Sequence, residues 1–550
     1  MTEYSVLIGG KAGDGIAQAG QVIAALFSAL GYHVYQYTDY PSLIRGGHNF
    51  CIIRAADTQV LTCRDGLDLI LALDQATVDI HKNRLYDSGS LLYDSDRVKA
   101  DGQAVAIAEI LKTCNGRSIM GNTAIIGAFC GCTGIAWDLV ESVIRKRLLK
   151  DGVLNLAIAK EAYSCATKSM VIMPVRDRTA KPILSGNEWI GLGLLAGGID
   201  AYIAYPMTPS SGVLHFLASV AQEAGIEVIH PESEIAVILM AQGFAYAGKK
   251  AAVGTSGGGF CLMTEGLSLA GMAEIPITIV LSQRGGPSTG LPTYTGQSDL
   301  LFACHAGQGE FPRFIAAPGT PAEAYQISAE AVRIAWMYQV PAFILTDKTL
   351  SEGFFSLDEI PPIPPWDQVQ NSPPISPYQR YADAPDGISP VLAPPAPNEV
   401  IKVNSYAHDQ NGITTEDPRM IREMVKKRLR KEEALADATD RPGSVLTGGS
   451  STANTILLCW GSNRGVCTEV ADFLNLRMVS PLVLLPFPVR EFRKAMEGYE
   501  RIILVEDSSA GQLSQLIARE GYVTNDLVLK CDGRPFTVEE LIGRVRRCLI

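Results

Sequence analysis

A chain of 550 residues and 59.1 kDa is too long for a single core and sets an expectation of roughly three or four domains. Its 47% hydrophobic and 19% charged residues fit compact globular folding, and a net charge of -11 argues against nucleic acid or an anionic membrane as the main partner. No apolar run reaches the ~18 residues that span a bilayer, and Met1-Thr2-Glu3-Tyr4 lacks the charged region and apolar core of an export signal, so a cytoplasmic protein with no membrane segment is expected.

In chain order, Tyr4-Ser5-Val6-Leu7-Ile8 reads as a strand, residues 9–15 as a glycine-rich loop and residues 16–26 as a helix; His33-Val34-Tyr35-Gln36-Tyr37 follows as a second strand at βαβ spacing. Glycines let a backbone approach a ligand closely, and amides at a helix start attract phosphate. Gln18, however, stands where the third glycine of Gly-x-Gly-x-x-Gly would fall, and no Gly-Lys-Ser/Thr follows. For Gly13 and Gly15 both phosphate or nucleotide binding and a tight structural turn remain open. The next loop, residues 40–49, sets Arg45 beside Gly46, Gly47 and His48, which suits contact with a partner subunit or a coenzyme as well as a plain turn. Strands at 68–73 and 89–93 alternate with helices, so residues 1–180 are expected to form one α/β domain.

A second domain is expected over 185–352, where short apolar strands at 201–204, 251–256, 277–281 and 341–346 alternate with helices, the pattern of a parallel sheet covered on both faces. Prolines then crowd 361–365 and 394–397, and residues 353–450 read as an extended connector followed by a charged helix near 424–433, its basic run a solvated face. Residues 453–550 form another small α/β unit. Twelve cysteines include no Cys-x-x-Cys, only the close pair Cys130 and Cys132. That spacing predicts buried thiols in a reducing compartment and no metal or iron–sulfur cluster held by this chain alone.

The chemistry-bearing residues cluster in the second domain. Tyr205-Pro206-Met207-Thr208-Pro209-Ser210-Ser211 is a hydroxyl-bearing turn stiffened by proline on either side of Thr208. Glu234 heads the apolar run Ile235-Ala236-Val237-Ile238-Leu239-Met240, which predicts burial and a raised pKa, whereas Glu232 suits an ordinary first-turn acid. Gly254-Thr255-Ser256-Gly257-Gly258-Gly259 ends a strand with unusual backbone freedom. Arg284, in Arg284-Gly285-Gly286-Pro287-Ser288-Thr289-Gly290, offers the planar fork of donors that suits a carboxylate.

Together with Gly307-Gln308-Gly309-Glu310-Phe311-Pro312-Arg313, these motifs resemble the 2-oxoacid:ferredoxin (or flavodoxin) oxidoreductases, over most of the chain. The chain looks like the alpha subunit with the gamma domain fused ahead of it, as in 2-oxoglutarate-type members. The resemblance implies a multidomain α/β fold: a gamma-type domain, a thiamine diphosphate pyrimidine-binding domain and a transketolase carboxy-terminal-like domain. It implies Glu234 as the carboxyl group on the pyrimidine N1′, Thr208 as the hydroxyl beside the substrate, Arg284 as the clamp on its carboxylate, and Tyr205, Pro206, Ser256 and Gly257 as cofactor contacts. Coenzyme A, as co-substrate, would use Gly13, Gly15, Arg45 and His48 of the amino-terminal domain.

One departure matters. Thiamine enzymes usually hold diphosphate and magnesium with Gly-Asp-Gly and a following asparagine, but the one such triplet here, Gly13-Asp14-Gly15, lies in the first domain, with Asn49 the first asparagine after it. The resemblance therefore implies that a beta subunit brings the diphosphate site, magnesium and a 4Fe-4S cluster, passes electrons to ferredoxin or flavodoxin, and assembles with this chain as an (alpha-beta)2 heterotetramer. The implied reaction is reversible oxidative decarboxylation of a 2-oxo acid with coenzyme A. The form of residues 284–293 looks most like 2-oxoglutarate members, with pyruvate and branched-chain 2-oxo acids close behind. A nucleotide-binding regulatory or scaffold subunit is the alternative from another class.

Overall fold

The structure is a computed structural model and describes residues 2–42, 47–175, 178–363 and 376–550. The chain divides into two compact units, Met1–Ser185 with Glu352–Glu359 and Phe536–Gly543, and Gly186–Ser351 with Ile360–Pro535 and Arg544–Ile550.

The first unit is built on an eight-stranded sheet in the order Gln103–Val105, Leu85–Asp94, Leu67–Ala72, Glu3–Lys11, His48–Ala56, His33–Asp39, Phe354–Ser356, Ile183–Ser185. Val6, Leu7 and Ile8 are fully buried, and the helix Ile16–Ala29 covers the sheet with Val22, Ile23, Leu26 and Phe27. The expected strand, loop and helix are present, though the strand runs on through Gly9, Gly10 and Lys11 of the expected loop, and the strands Glu3–Lys11 and His33–Asp39 are not neighbours. His48–Ala56 lies between them and pairs antiparallel with both. That strand begins inside the stretch expected to be a loop. It was hidden because it shows no period-two alternation: it buries Arg54, whose guanidinium donates to the Thr62 carbonyl (3.0 Å) and to Glu3 (2.9 Å). Phe354–Ser356, from the expected connector, also joins this sheet, pairing with His33–Asp39 and Ile183–Ser185.

The second unit holds two sheets. The larger runs Val483–Leu485, Phe314–Ala316, Pro341–Asp347, Ile277–Gln283, Ala251–Thr255, Ala201–Ala204, Glu227–Ile229, parallel except for Val483–Leu485. The smaller runs Val445–Gly449, Arg477–Pro481, Thr455–Leu458, Arg501–Glu506, Asp526–Leu529. One apolar core includes Ile279 and Phe343 from the first and Leu458 and Leu504 from the second, with Phe260 of the helix Gly257–Ala273 and Trp460. Gln297 ties the two together: its amide nitrogen donates to the Trp460 carbonyl (2.9 Å), and its oxygen accepts from Asn463 Nδ2 (2.7 Å) and the Asp507 N–H (3.0 Å). Among the described residues no helix is long and apolar enough to cross a membrane.

The charged helix, Pro418–Thr439, corrects the expectation of a solvated basic face. Lys427 and Lys431, one turn apart, are fully buried on Glu274, the residue that ends the helix Gly257–Ala273; both carboxylate oxygens lie 2.9 Å from Lys427 Nζ, and Lys431 adds a second ammonium contact. Arg380 donates to the Glu274 carbonyl (2.6 Å). Burial alone would raise the Glu274 pKa, but Lys431 and Lys427, with Arg380 behind them, hold it well below the usual carboxylate range.

Candidate active site

In the larger sheet of the second unit the chain leaves Ala201–Ala204, returns through the helix Ser211–Ala224 to Glu227–Ile229 on one side, and then crosses through Glu234–Tyr246 to Ala251–Thr255 on the other. Parallel strands diverging in this way open a crevice beyond their carboxyl ends, the usual ligand position in such sheets. The loop 205–210, the start of the helix Glu234–Tyr246, the start of the helix Gly257–Ala273 and Arg284 all follow the carboxyl ends of these strands or of Ile277–Gln283 beside them.

Ser233 caps the helix Glu234–Tyr246, its hydroxyl accepting from the Ala236 N–H (3.4 Å), and this turns the next side chain inward. Glu234 is 4% exposed, while Glu232 is exposed, as the apolar run after position 234 predicts. Glu234 Oε1 is buried and has no hydrogen-bond partner in the protein. It lies against Gly259, where an added Cβ would stand 2.5 Å from Oε1 and 2.3 Å from Thr255 Oγ1. The Ser256 hydroxyl is likewise buried and unpartnered, and so is that of Tyr202. An ionisable oxygen kept from water without a donor is costly, so such groups mark places where a ligand completes the bonding.

Arg284 reaches across to the proline-flanked turn and donates from Nη1 to the Thr208 carbonyl (2.9 Å); its Nε is buried without a partner, and burial lowers its pKa. Tyr205 and Pro206 are exposed at the crevice mouth, Tyr205 meeting His230 edge-on at 5.8 Å. Asp299 was not foreseen: it follows Gln283 and Arg284 by some fifteen residues with no motif to mark it, yet its carboxyl group stands over Gly257. Burial pushes its pKa up to about 6, with Arg284 acting the other way.

The remaining candidates lie in the first unit. Gly13 and Gly15 both take positive φ (99° and 74°), Gly15 preceding the helix Ile16–Ala29, and Asp14 closes the turn by accepting from the Lys11 N–H (3.0 Å). His48 is the first residue of a strand rather than part of a loop; it pairs with Lys11, and its Nε2 lies 3.0 Å from His81 Nε2. Arg45 lies outside the described residues. The motif at 307–313 serves elsewhere: Arg313 donates to the Ala303 and Ala306 carbonyls (3.0 and 2.7 Å), and residues 307–311 line a cavity of about 920 Å³ with Thr264, Ser268 and Arg428. That cavity contains none of the crevice residues.

Comparison with known proteins bears on what the crevice serves. Residues 5–165 match the family described as pyruvate ferredoxin/flavodoxin oxidoreductase, and residues 193–427 match pyruvate flavodoxin/ferredoxin oxidoreductase, thiamine diphosphate-binding. The alpha subunit of 2-oxoacid:ferredoxin oxidoreductase 2 from Aeropyrum pernix is 30% identical over 100% of this chain and 98% of its own length. The chain belongs to the 2-oxoacid:ferredoxin oxidoreductase family. It is a subunit of a thiamine-dependent enzyme of that family, with the multidomain α/β fold that the motifs led us to expect. The 2-oxoglutarate oxidoreductase subunit KorA of Mycobacterium tuberculosis is 26% identical over 98% of this chain and 90% of its own. The 2-oxoglutarate:ferredoxin oxidoreductase of Magnetococcus marinus, solved with 2-oxoglutarate, coenzyme A and succinyl-CoA bound, superposes with a TM-score of 0.88 at 27% identity, over 100% of this chain and 99% of that one.

The crevice fits the aminopyrimidine part of thiamine diphosphate on its own chemistry: a buried carboxylate oxygen lacking a donor, an unpartnered hydroxyl at Ser256, and a helix start cleared of side chains by three glycines. Gly259→Ala tests that cradle. Gly259 has an ordinary helical backbone, so alanine favours the helix itself by about 1 kcal/mol, a gain offset where its Cβ crowds the Thr255 hydroxyl and displaces the Glu234 carboxyl. The expected result is an assembled enzyme of unchanged thermal midpoint with turnover down by about 10²-fold, the scale of an ångström of misplacement; full turnover would show that the carboxyl group does not act from this position.

Proposed function

We propose that this chain is the gamma-fused alpha subunit of a 2-oxoglutarate:ferredoxin oxidoreductase, carrying out, reversibly, 2-oxoglutarate + coenzyme A + two oxidised ferredoxins → succinyl-CoA + carbon dioxide + two reduced ferredoxins + a proton. The observation that carries the reading is the orphaned, buried oxygen of Glu234 at the sheet's switch point. Thiamine diphosphate, when bound, supplies a nucleophilic carbon and an electron sink for the decarboxylation. Glu234 holds the proton shared with the pyrimidine N1′, and Ser256, Gly257, Tyr205 and Pro206 border the ring. Arg284 clamps a substrate carboxylate, and the Thr208 hydroxyl orients the carbonyl beside it. The 2-oxoglutarate assignment is supported by the KorA relative and by the substrate bound in the Magnetococcus marinus enzyme.

A beta subunit completes the pocket with the diphosphate and magnesium site and the 4Fe-4S cluster, passing electrons to ferredoxin or flavodoxin within an (alpha-beta)2 assembly. Two features support a partner over this edge. The chain's single Gly-Asp-Gly is a turn of the first unit, and Ile235, Leu239, Met240 and Leu262 beside Glu234 are exposed apolar side chains. For coenzyme A we keep Gly13, Gly15 and His48, which gather at the carboxyl end of the strand Glu3–Lys11, together with Arg45. The test is reconstitution: the purified chain alone reduces no ferredoxin, and adding the beta subunit restores 2-oxoglutarate- and coenzyme A-dependent reduction. Turnover by this polypeptide alone, or a complete enzyme that ignores 2-oxoglutarate, would overturn the reading.

A further inference from the structure

Asp299 occupies the position before the helix Leu300–His305, where an aspartate ordinarily accepts a hydrogen bond from the first turn. It makes no such bond. The Leu301 N–H goes to Gln512 Oε1 (2.8 Å) and the Ala303 N–H to the Asp299 carbonyl (2.8 Å), so helix capping does not account for the side chain. Its carboxyl group is turned instead onto the first residue of the helix Gly257–Ala273: a Cβ at Gly257 would lie 2.5 Å from Oδ2 and 2.9 Å from Oδ1. The backbone is pinned in that place by the Asp299 N–H donating to Gln283 Oε1 (2.9 Å), the residue before Arg284.

Two carboxyl groups therefore flank one glycine-lined helix start, Asp299 over Gly257 and Glu234 against Gly259. Asp299 and the Arg284 guanidinium act on each other's charge without a direct ion pair, while Arg284 is anchored through Nη1 on Thr208. Other titratable groups stand on elements around Asp299, but Arg284 is the one whose charge acts on it. Glu506 accepts from Trp460 Nε1 and from the N–H groups of Gln512 and Leu513; Asp507 lies beside it, its backbone bonded to Gln297; His305 pairs with Arg519 at the far end of the short helix.

We infer that Asp299 is a positioning residue for the anionic substrate, offsetting the Arg284 charge while the site is empty and taking up one proton from solvent when a 2-oxo acid carboxylate seats on that guanidinium. The inference rests on the reading of Arg284 as the carboxylate clamp. Two carboxylates and one guanidinium in a partly desolvated crevice cannot all stay ionised cheaply, and the group that yields is the one already disfavoured by burial. With the empty-site pKa near 6, Asp299 is mostly ionised at pH 7 and has a proton to gain. No bond of the substrate changes in this step; a proton passes from water or buffer to a carboxylate oxygen, and the neutral acid no longer competes for the arginine.

The test uses the assembled enzyme and glutarate, which carries the two carboxylates of 2-oxoglutarate but no carbonyl to react. Calorimetric titration at pH 7 in phosphate and in Tris, whose ionisation heats differ, reads the protons taken up. The expected result is roughly half a proton or more per site, with affinity falling as pH rises from about 6.5 to 8. Asp299→Asn should bind glutarate with the same affinity across that range and with no buffer dependence. A wild-type enzyme that takes up no proton overturns the inference, as does an Asp299→Asn enzyme that keeps the uptake or loses binding at every pH. Arg284→Ala separates the two claims: unchanged glutarate binding there removes the clamp reading itself, whereas weakened binding together with an unaltered proton count in Asp299→Asn removes only the role of Asp299.

Discussion

Glu234→Gln is expected to leave the assembled enzyme folded and to lower its turnover by about 10²–10⁴-fold, the range over which a positioned acid–base group contributes. Glutamine has the same shape and keeps an oxygen and a nitrogen in the crevice, so the packing against Gly259 and Thr255 survives. What it loses is the capacity to share a proton with a ring nitrogen. Glu234 Oε1 has no protein partner, so the substitution breaks no hydrogen bond at that oxygen. The thermal midpoint should therefore stay level while 2-oxo acid-dependent dye reduction collapses. Retained turnover would assign Glu234 to packing alone.

The second large effect is on stability. Glu274→Ala leaves the Lys427 and Lys431 ammonium groups buried without their counter-charge, beside Arg380. Removing one member of a buried ion cluster costs about 3–5 kcal/mol, which should lower the unfolding midpoint of the second unit by on the order of 10 °C. Changing Glu274, Lys427 and Lys431 together to apolar residues of similar size should recover most of the loss, because desolvation and attraction are then removed at once. The sign with pH is set by the depressed Glu274 pKa: its contribution is complete above the ordinary carboxylate value and is lost as pH falls towards the much lower folded value. A midpoint unmoved by Glu274→Ala would mean that the two lysines reach water.

Local signals carried much of the fold. Short apolar runs alternating with helices marked the strands Ala201–Ala204, Ala251–Thr255 and Ile277–Gln283, and an acid heading an apolar run marked Glu234 as buried. The strand His48–Ala56 escaped because burying Arg54 breaks the alternation that betrays a strand. Lys427 and Lys431 read as a solvated face because nothing within reach along the chain neutralises them; Glu274 is 153 and 157 residues away. Asp299 carried no motif to mark it, and only the position of Gly257 and Arg284 around it sets it apart.

The amino-acid sequence by itself determined the kinds of group available, their order, and the strands and helices that carry them, since these follow from neighbours within a few residues. Tertiary structure alone decided which groups meet. Parallel strands joined by crossing helices present their carboxyl ends at one edge, and the reversal of direction after Ala201–Ala204 opens the crevice there, so Thr208, Glu234, Ser256, Arg284 and Asp299 converge from separate segments. Whether a charge among them is neutralised, orphaned or held protonated depends on burial and on partners distant in the chain, quantities that exist only once the sheet has formed.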